Sequence, residues 1–435
     1  MTGAHIRLGW FVVMAGLFAA ADSASRATDI VSGKPHQPWK TGYWVWAGES
    51  PAPAGFMPDI LYVETPPGRW PRGLPPAHEY VMVRRIEADV PLTPAIAAAV
   101  VDDYKALVAD AGPRVRISGL QIDYDSPARL LDAYGVFLAQ VRQRLPPSDR
   151  LSITALLDWF HPYAGIDRVL RAVDEFVPQF YDTAHERTSA GIAEPIDPSR
   201  WAPVFNAYHV PYRIGVATFG RIARRRLDGS GHPAVRYFRD ASPIDFVGPL
   251  PLDRRVLRTP AGELVVHYDV RAHVPGQPEL RAGDAVEITF PTQASVRAAY
   301  DAAHRFGGYC AGILAFRWPG RSETLTLDPD DVERMASDTA STSAPRLETR
   351  EARCVERTCQ DLYLNTMGLL GTADRTIGIR ATTPLDVFLP DAGPIRTSLH
   401  GQELFVRLPA YAGLGTLYVG RAISRGPVGF EVMRP

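Results

Sequence analysis

Residues 119–125 read Gly119-Leu120-Gln121-Ile122-Asp123-Tyr124-Asp125, and Ser126-Pro127 follows. Leu120, Ile122 and Tyr124 alternate with Gln121, Asp123 and Asp125, and that period of two is a strand signal. Two carboxylates and an amide on one face of an otherwise apolar strand are costly to bury without a purpose. The Ser-Pro step stops the strand and predicts a helix with Ser126 as N-cap and Pro127 at its first position. Two acids therefore stand at the carboxyl end of a strand, just ahead of a helix. In a β/α barrel that is where active sites lie.

Outward from this stretch the chain repeats the pattern. Strands are predicted at 42–48, 59–64 and 80–87 before it, and at 151–159, 176–182, 212–219 and 311–318 after it. Helical periodicity runs over 93–109, 128–144, 166–173, 201–208 and 293–306. Eight strands, mostly followed by helical segments, predict a single (β/α)8 TIM barrel over residues 38–334. The runs 263–270 and 285–290 predict a β-hairpin insertion near 260–290 on the loop face, and Arg224-Arg225-Arg226 reads as a solvated loop. Residues 335–345, mostly small and polar, form a linker by composition, and 346–435 carry short β-rich runs between Gly and Pro turns. A small C-terminal β-sandwich is the expectation there.

Composition narrows the classes. A formal net charge of -1 over 435 residues gives no reason to expect nucleic acid or an anionic membrane as partner. His5 and Arg7 precede an apolar run from Leu8 to Ala21, and small residues crowd Ala21–Ala24. This is the pattern of a cleaved signal peptide over 1–24. The run is short for a bilayer span, so a periplasmic or secreted product without a membrane span is expected. Of three cysteines, Cys354 and Cys359 are close in sequence, which predicts a local disulfide in an exported chain. Cys310 opens an apolar strand and is expected as a buried free thiol. No Cys or His pair has metal-ligand spacing, and no glycine loop for a nucleotide appears, so neither metal nor cofactor is expected.

The chain resembles the bacterial domain of unknown function numbered 3142. The likeness rests on Gln121, Asp123 and Asp125, on Leu151–Leu156, and on Phe316–Pro319. The barrel also resembles the family 18 glycoside hydrolases, whose fourth strand reads Gly-x-Asp-x-Asp-x-Glu. Gly119, Gln121, Asp123, Tyr124 and Asp125 fall on those places. Gln179–Asp182 is similar to the family's Met-x-Tyr-Asp, Gly215–Gly220 to its seventh strand, and Trp318 to the tryptophan ending its eighth. The resemblance implies substrate-assisted cleavage with a single acid, the sugar's own N-acetyl group serving as nucleophile. It implies Asp125 as general acid, Asp123 as the neighbour that raises its pKa, Tyr181 as donor to the acetamido oxygen, and Trp318 as a stacking floor. Asp125 stands where the family has glutamate, and Gln121 where it has aspartate.

Gln121 and Asp182 are further substrate-binding candidates, and so are Glu87, Asp158 and Trp159 at strand ends. Bland roles compete: Glu87 with Arg84 and Arg85 also reads as an ion-pair network, and Trp159 also reads as core packing. Two functions follow. One is an exported glycoside hydrolase acting on an envelope or extracellular polysaccharide. The other is a non-catalytic barrel that binds a glycan or an envelope partner.

Overall fold

The computed structural model describes residues 39–46, 54–87, 90–161, 165–181, 192–227, 233–238, 246, 250–274, 277–320, 325–336, 346–354, 356–365, 375–390, 396–408 and 416–433. The signal-peptide segment, Asp182 and residues 337–345 of the linker lie outside them. Seven parallel strands come first: β1 (Lys40–Val45), β2 (Ile60–Glu64), β3 (Tyr80–Arg85), β4 (Ile117–Asp123), β5 (Arg150–Ala155), β6 (Glu175–Pro178) and β7 (Tyr212–Ala217). Strands β8 (Arg221–Leu227), β9 (Pro233–Tyr237), β10 (Leu252–Arg258), β11 (Leu264–Val270) and β12 (Ala285–Phe290) follow, and β13 (Cys310–Phe316) is the eighth barrel strand. The closed order β1-β13-β7-β6-β5-β4-β3-β2 is a parallel eight-stranded barrel, as the strand count predicts.

Helices α1 (Pro94–Ala111), α2 (Leu131–Arg144), α3 (Ile166–Leu170), α4 (Pro198–Asn206), α5 (Gln293–Ala303) and α6 (Pro329–Ala336) accompany the strands. Thr93 caps α1 by accepting from the Ile96 N–H, with Pro94 opening the helix. Its buried residues Ala97, Val100, Val101, Tyr104 and Leu107 recur at helical spacing and share a core with the outward faces of the strands. Burying each large apolar side chain contributes about 1.5–3 kcal/mol. Ser126 does not act as the expected cap. Its hydroxyl donates to Pro127 O at 3.2 Å, a 3-10 turn over Ala128–Leu130 intervenes, and α2 starts at Leu131.

The insertion between β7 and β13 is a five-stranded sheet, order β10-β11-β12-β8-β9, wider than the expected hairpin. Arg224–Arg226 lie in β8 rather than in a solvated loop. Arg226 meets Asp284 with two nitrogens, Arg225 pairs with Glu287, and Arg224 donates to Glu279 O. Pairing with neighbouring strands is what lets an arginine run form a strand. Beyond residue 345, β14 (Arg346–Ala352), β15 (Thr358–Asn365), β16 (Arg375–Ala381) and β17 (Val387–Pro390) precede β18 (Arg396–His400), β19 (Glu403–Leu408), β20 (Thr416–Ser424) and β21 (Phe430–Val432). They form two four-stranded sheets, β14-β15-β20-β17 and β18-β19-β16-β21, sharing one core that includes Leu362, Ile379, Val406 and Val419. This is the small β-sandwich. Cys354 and Cys359 form the expected disulfide. Cys310 is free and only partly buried, with its thiol pushed up to about 11 by burial.

Candidate active site

The period of two in β4 divides its side chains between two cores. Leu120, Ile122 and Tyr124 pack outward among the helices, whereas Gln121 and Asp123 share the face that meets Ser152 and Thr154 of β5. Gln121 Nε2 donates to Ser152 Oγ at 3.2 Å, and Thr154 Oγ1 donates to Asp123 Oδ1 at 2.7 Å. Burial first, and then the charge of Asp125, push the Asp123 carboxyl up to about 7. The Thr154 hydrogen bond and the Arg85 charge pull it down, and Glu64 adds a little upward. Arg85 is the register partner of Asp123 across β3 and β4.

Asp125 lies two residues past the end of β4 and is exposed at the rim. Its loop is pinned from below. The Ser126 N–H donates to Tyr124 O at 2.8 Å, and the Trp159 indole N–H donates to Ser126 O at 2.8 Å. Tyr134 of α2 lies 5.1 Å from Tyr124 and 6.0 Å from Trp159, ring centre to ring centre. Trp159 is 1% exposed, so it is an anchor for the acid's loop and presents no ring face to a ligand.

Deeper in the barrel a second polar cluster is compensated. Glu175 accepts from Tyr62 Oη at 2.5 Å, Ser152 Oγ at 3.4 Å and Arg213 Nε at 3.0 Å. Burial pushes the Glu175 carboxyl up, but Arg213, Arg150 and the Tyr62 hydroxyl outweigh it and hold the group below the usual carboxylate range. Gln121 joins this cluster through Ser152 rather than through Asp123.

The other wall of the mouth is aromatic. Tyr181 stacks on Phe316 with ring centres 4.6 Å apart and planes 16° apart. Trp44, Trp46 and Phe219 meet Phe316 edge-on at 4.9, 5.9 and 5.3 Å. Gly215 makes room for this stack: a Cβ there would stand 3.1 Å from Tyr181 Cε1 and 3.0 Å from Pro178 O. Trp318, expected as the stacking floor, is 1% exposed and packs in the outer core against Tyr43 and Phe56 at 5.1 and 5.9 Å. The strand ends at Phe316, so alternation no longer governs residue 318. Phe316 is the aromatic side chain that β13 brings to the mouth, and the in-phase series Gly312, Leu314, Phe316 was the available signal.

The remaining candidates sit at the rim or apart. Asp158 lies on the 3-10 turn Leu157–Phe160, largely exposed, with His161 Nε2 at 3.9 Å. Glu87 is exposed and 3.4 Å from Arg85. Arg84 does not join them in the expected network, because it faces outward and pairs with Asp103 of α1. Among the described residues no cluster of His, Cys, Asp or Glu could hold a metal ion, and no helix is long and apolar enough to cross a membrane.

Residues 77–239 match the family described as domain of unknown function (DUF3142). No curated protein matches the chain. Among solved structures the chain is similar to the spore cortex-lytic enzyme SleL of Bacillus cereus, with 13% identity and a TM-score of 0.43, covering 70% of this chain and 75% of that one. It is similar also to the chitinase RmChi1 of Rhizomucor miehei, with 11% identity, a TM-score of 0.32, and 64% and 94% covered. The chitinase domain of the Clostridium difficile spore coat protein CotE gives 13% identity, a TM-score of 0.31, and 66% and 87% covered. Likeness of this degree carries no residue role across.

Proposed function

We propose that this chain is an exported glycoside-hydrolase-like protein that takes an N-acetylhexosamine-containing glycan across the barrel mouth and cleaves it with one transferable proton. The observation that carries the reading is Asp123, a carboxyl at the carboxyl end of β4 held near neutrality, with Asp125 beside it on the exposed rim. A carboxyl poised near the working pH is what general acid catalysis requires. The Cys354–Cys359 disulfide supports export to an oxidising compartment.

At neutral pH Asp123 is protonated in about half of the molecules, because burial and the charge of Asp125 resist its ionisation. The proton passes to Asp125, the exposed member, and on to the glycosidic oxygen as the bond to the anomeric carbon breaks. The sugar's acetamido oxygen forms the new bond to that carbon, so no protein nucleophile is needed. Tyr181 donates its hydroxyl to the acetamido oxygen, and Phe316 backs the Tyr181 ring. The two carboxylates, now both ionised, face the positive charge that develops on the sugar. Water then bonds to the anomeric carbon as the acetamido oxygen leaves it, and gives its proton back to Asp125.

The test is turnover of N-acetylhexosamine and neutral glycans by the mature protein, Asp125→Asn and Asp123→Asn. The expected result is cleavage of the amino-sugar glycan, lost in both variants, with the wild-type rate falling as pH rises through about 7. Undiminished turnover in Asp125→Asn would remove that residue from the acid role. Glycan affinity with no turnover in any of the three proteins would make the barrel a binding module.

A further inference from the structure

Glu263 belongs to the insertion but bonds to the barrel. It closes the turn between β10 and β11: Gly262 N–H donates to Thr259 O at 2.9 Å, and Glu263 N–H donates to Thr259 Oγ1 at 3.1 Å. One oxygen of its carboxylate then reaches out of the sheet and accepts both the Ile192 N–H at 3.0 Å and the Thr259 hydroxyl at 3.3 Å. Glu263 and Ile192 are each only 1% exposed. Burial pushes this carboxyl up, and its other oxygen meets no hydrogen-bond donor among the described residues, so the Ile192 N–H is the tie that joins it to the barrel. A second tie fixes the same turn, since the α5 cap Thr292 donates its hydroxyl to Gly262 O at 2.9 Å.

What the carboxylate grips is the segment lying against Tyr181. Ala193 forms an antiparallel bridge with Tyr181, and the Glu194 N–H donates to Phe180 O at 3.0 Å. Ile192 packs with Tyr181 and Phe316 in the barrel interior. The contacts run without a gap from the insertion turn through Glu263 and residues 192–194 to the backbone that carries the Tyr181 ring.

We infer that Glu263 is a positioning residue: through the 192–194 segment, the insertion sheet sets where the Tyr181 ring stands against Phe316. The catalytic consequence rests on the role proposed for Tyr181; the positional one does not. The inference is tested on the full chain with Glu263→Ala, Glu263→Gln and Thr259→Val, reading amide hydrogen exchange together with kcat and KM on the amino-sugar glycan. In Glu263→Ala, exchange at Ile192 is expected to rise about tenfold, the loss of one bond, with Val216 and Ile313 unchanged. Glu263→Gln keeps a carbonyl acceptor and is expected to restore protection to within about threefold, while Thr259→Val gives a rise of about two- to threefold. For turnover, kcat falls about tenfold in Glu263→Ala with KM within about twofold, and Gln recovers most of it. Exchange unchanged at Ile192, or raised equally at Val216 and Ile313, would overturn the inference. Should Glu263→Ala not fold, protection unaltered in both other variants would overturn it. A wild-type protein without turnover would sink the proposed reaction while the exchange data still decide whether Glu263 holds the segment that bridges to Tyr181.

Discussion

Two acids face the inside of one barrel and end in opposite states. Glu175, on β6, is 2% exposed and is held ionised by Arg213 and Arg150. Asp123, on β4, has Thr154 as its hydrogen-bond donor and another acid as its neighbour, and its carboxyl stands at about 7. The deeper group is the stronger acid. Desolvation acts on both, so the partner decides the charge, not the depth. The amino-terminal half of the barrel is thus electrostatically closed, while the mouth carries an acid whose proton is available.

The largest expected effect comes from opening the closed half. Arg213→Met leaves the buried Glu175 without its paired guanidinium, with only the more distant Arg150 charge and the Tyr62 and Ser152 hydroxyls facing it, and should lower unfolding free energy by about 3–5 kcal/mol in urea titrations. Adding Glu175→Gln should recover most of that loss. Next, Asp123→Asn should stabilise the protein where the wild type is penalised. Because the folded pKa of Asp123 is about 7 against an ordinary 3.8, the folded state binds more protons than the unfolded between those values. Stability therefore falls as pH rises from about 4 to about 7, and the penalty is complete above it. The variant should exceed the wild type by roughly 2–4 kcal/mol at pH 7.5 and by little at pH 4, in paired denaturation curves. A smaller effect is expected on the aromatic wall. Gly215→Ala forces a methyl against Tyr181 and Pro178, which should cost about 1–3 kcal/mol and alter near-ultraviolet circular dichroism of the stacked rings. The smallest shift follows Asp125→Asn: the Asp123 midpoint, followed by carboxyl infrared or NMR titration, should drop by less than burial raises it. An unmoved midpoint would mean that Asp125 is electrostatically silent.

Strand alternation made the barrel legible. All eight strands appear in the order read from the sequence, because each carries an outward apolar row that needs a helix layer. The same alternation identified Gln121 and Asp123 as inward. Residues just past a strand end were harder. Trp318 and Trp159 follow their strands, where loop geometry rather than period decides direction, and both turned into the outer core. Ser126 failed as a cap for a related reason, since a 3-10 turn precedes α2. Three of the insertion's five strands, β8, β9 and β10, were missed, and β8 and β10 are rich in arginine. The partners of β8, Asp284 and Glu287, lie about 60 residues away and cannot be paired by local reading.

The place of the insertion has a consequence for how the chain is assembled. Strand β13 is the only one that pairs with both β1 and β7, yet it is made after the whole five-stranded sheet. While synthesis runs from Ala217 to Cys310, β1 and β7 remain edges with unmet hydrogen-bonding groups, templates for pairing with another chain. Contacts between Lys40 and Gly312 are also about as distant in sequence as this barrel allows, and such closures are slow. A chain truncated before Cys310 keeps both edges permanently, and aggregation rather than a smaller stable barrel is its expected fate.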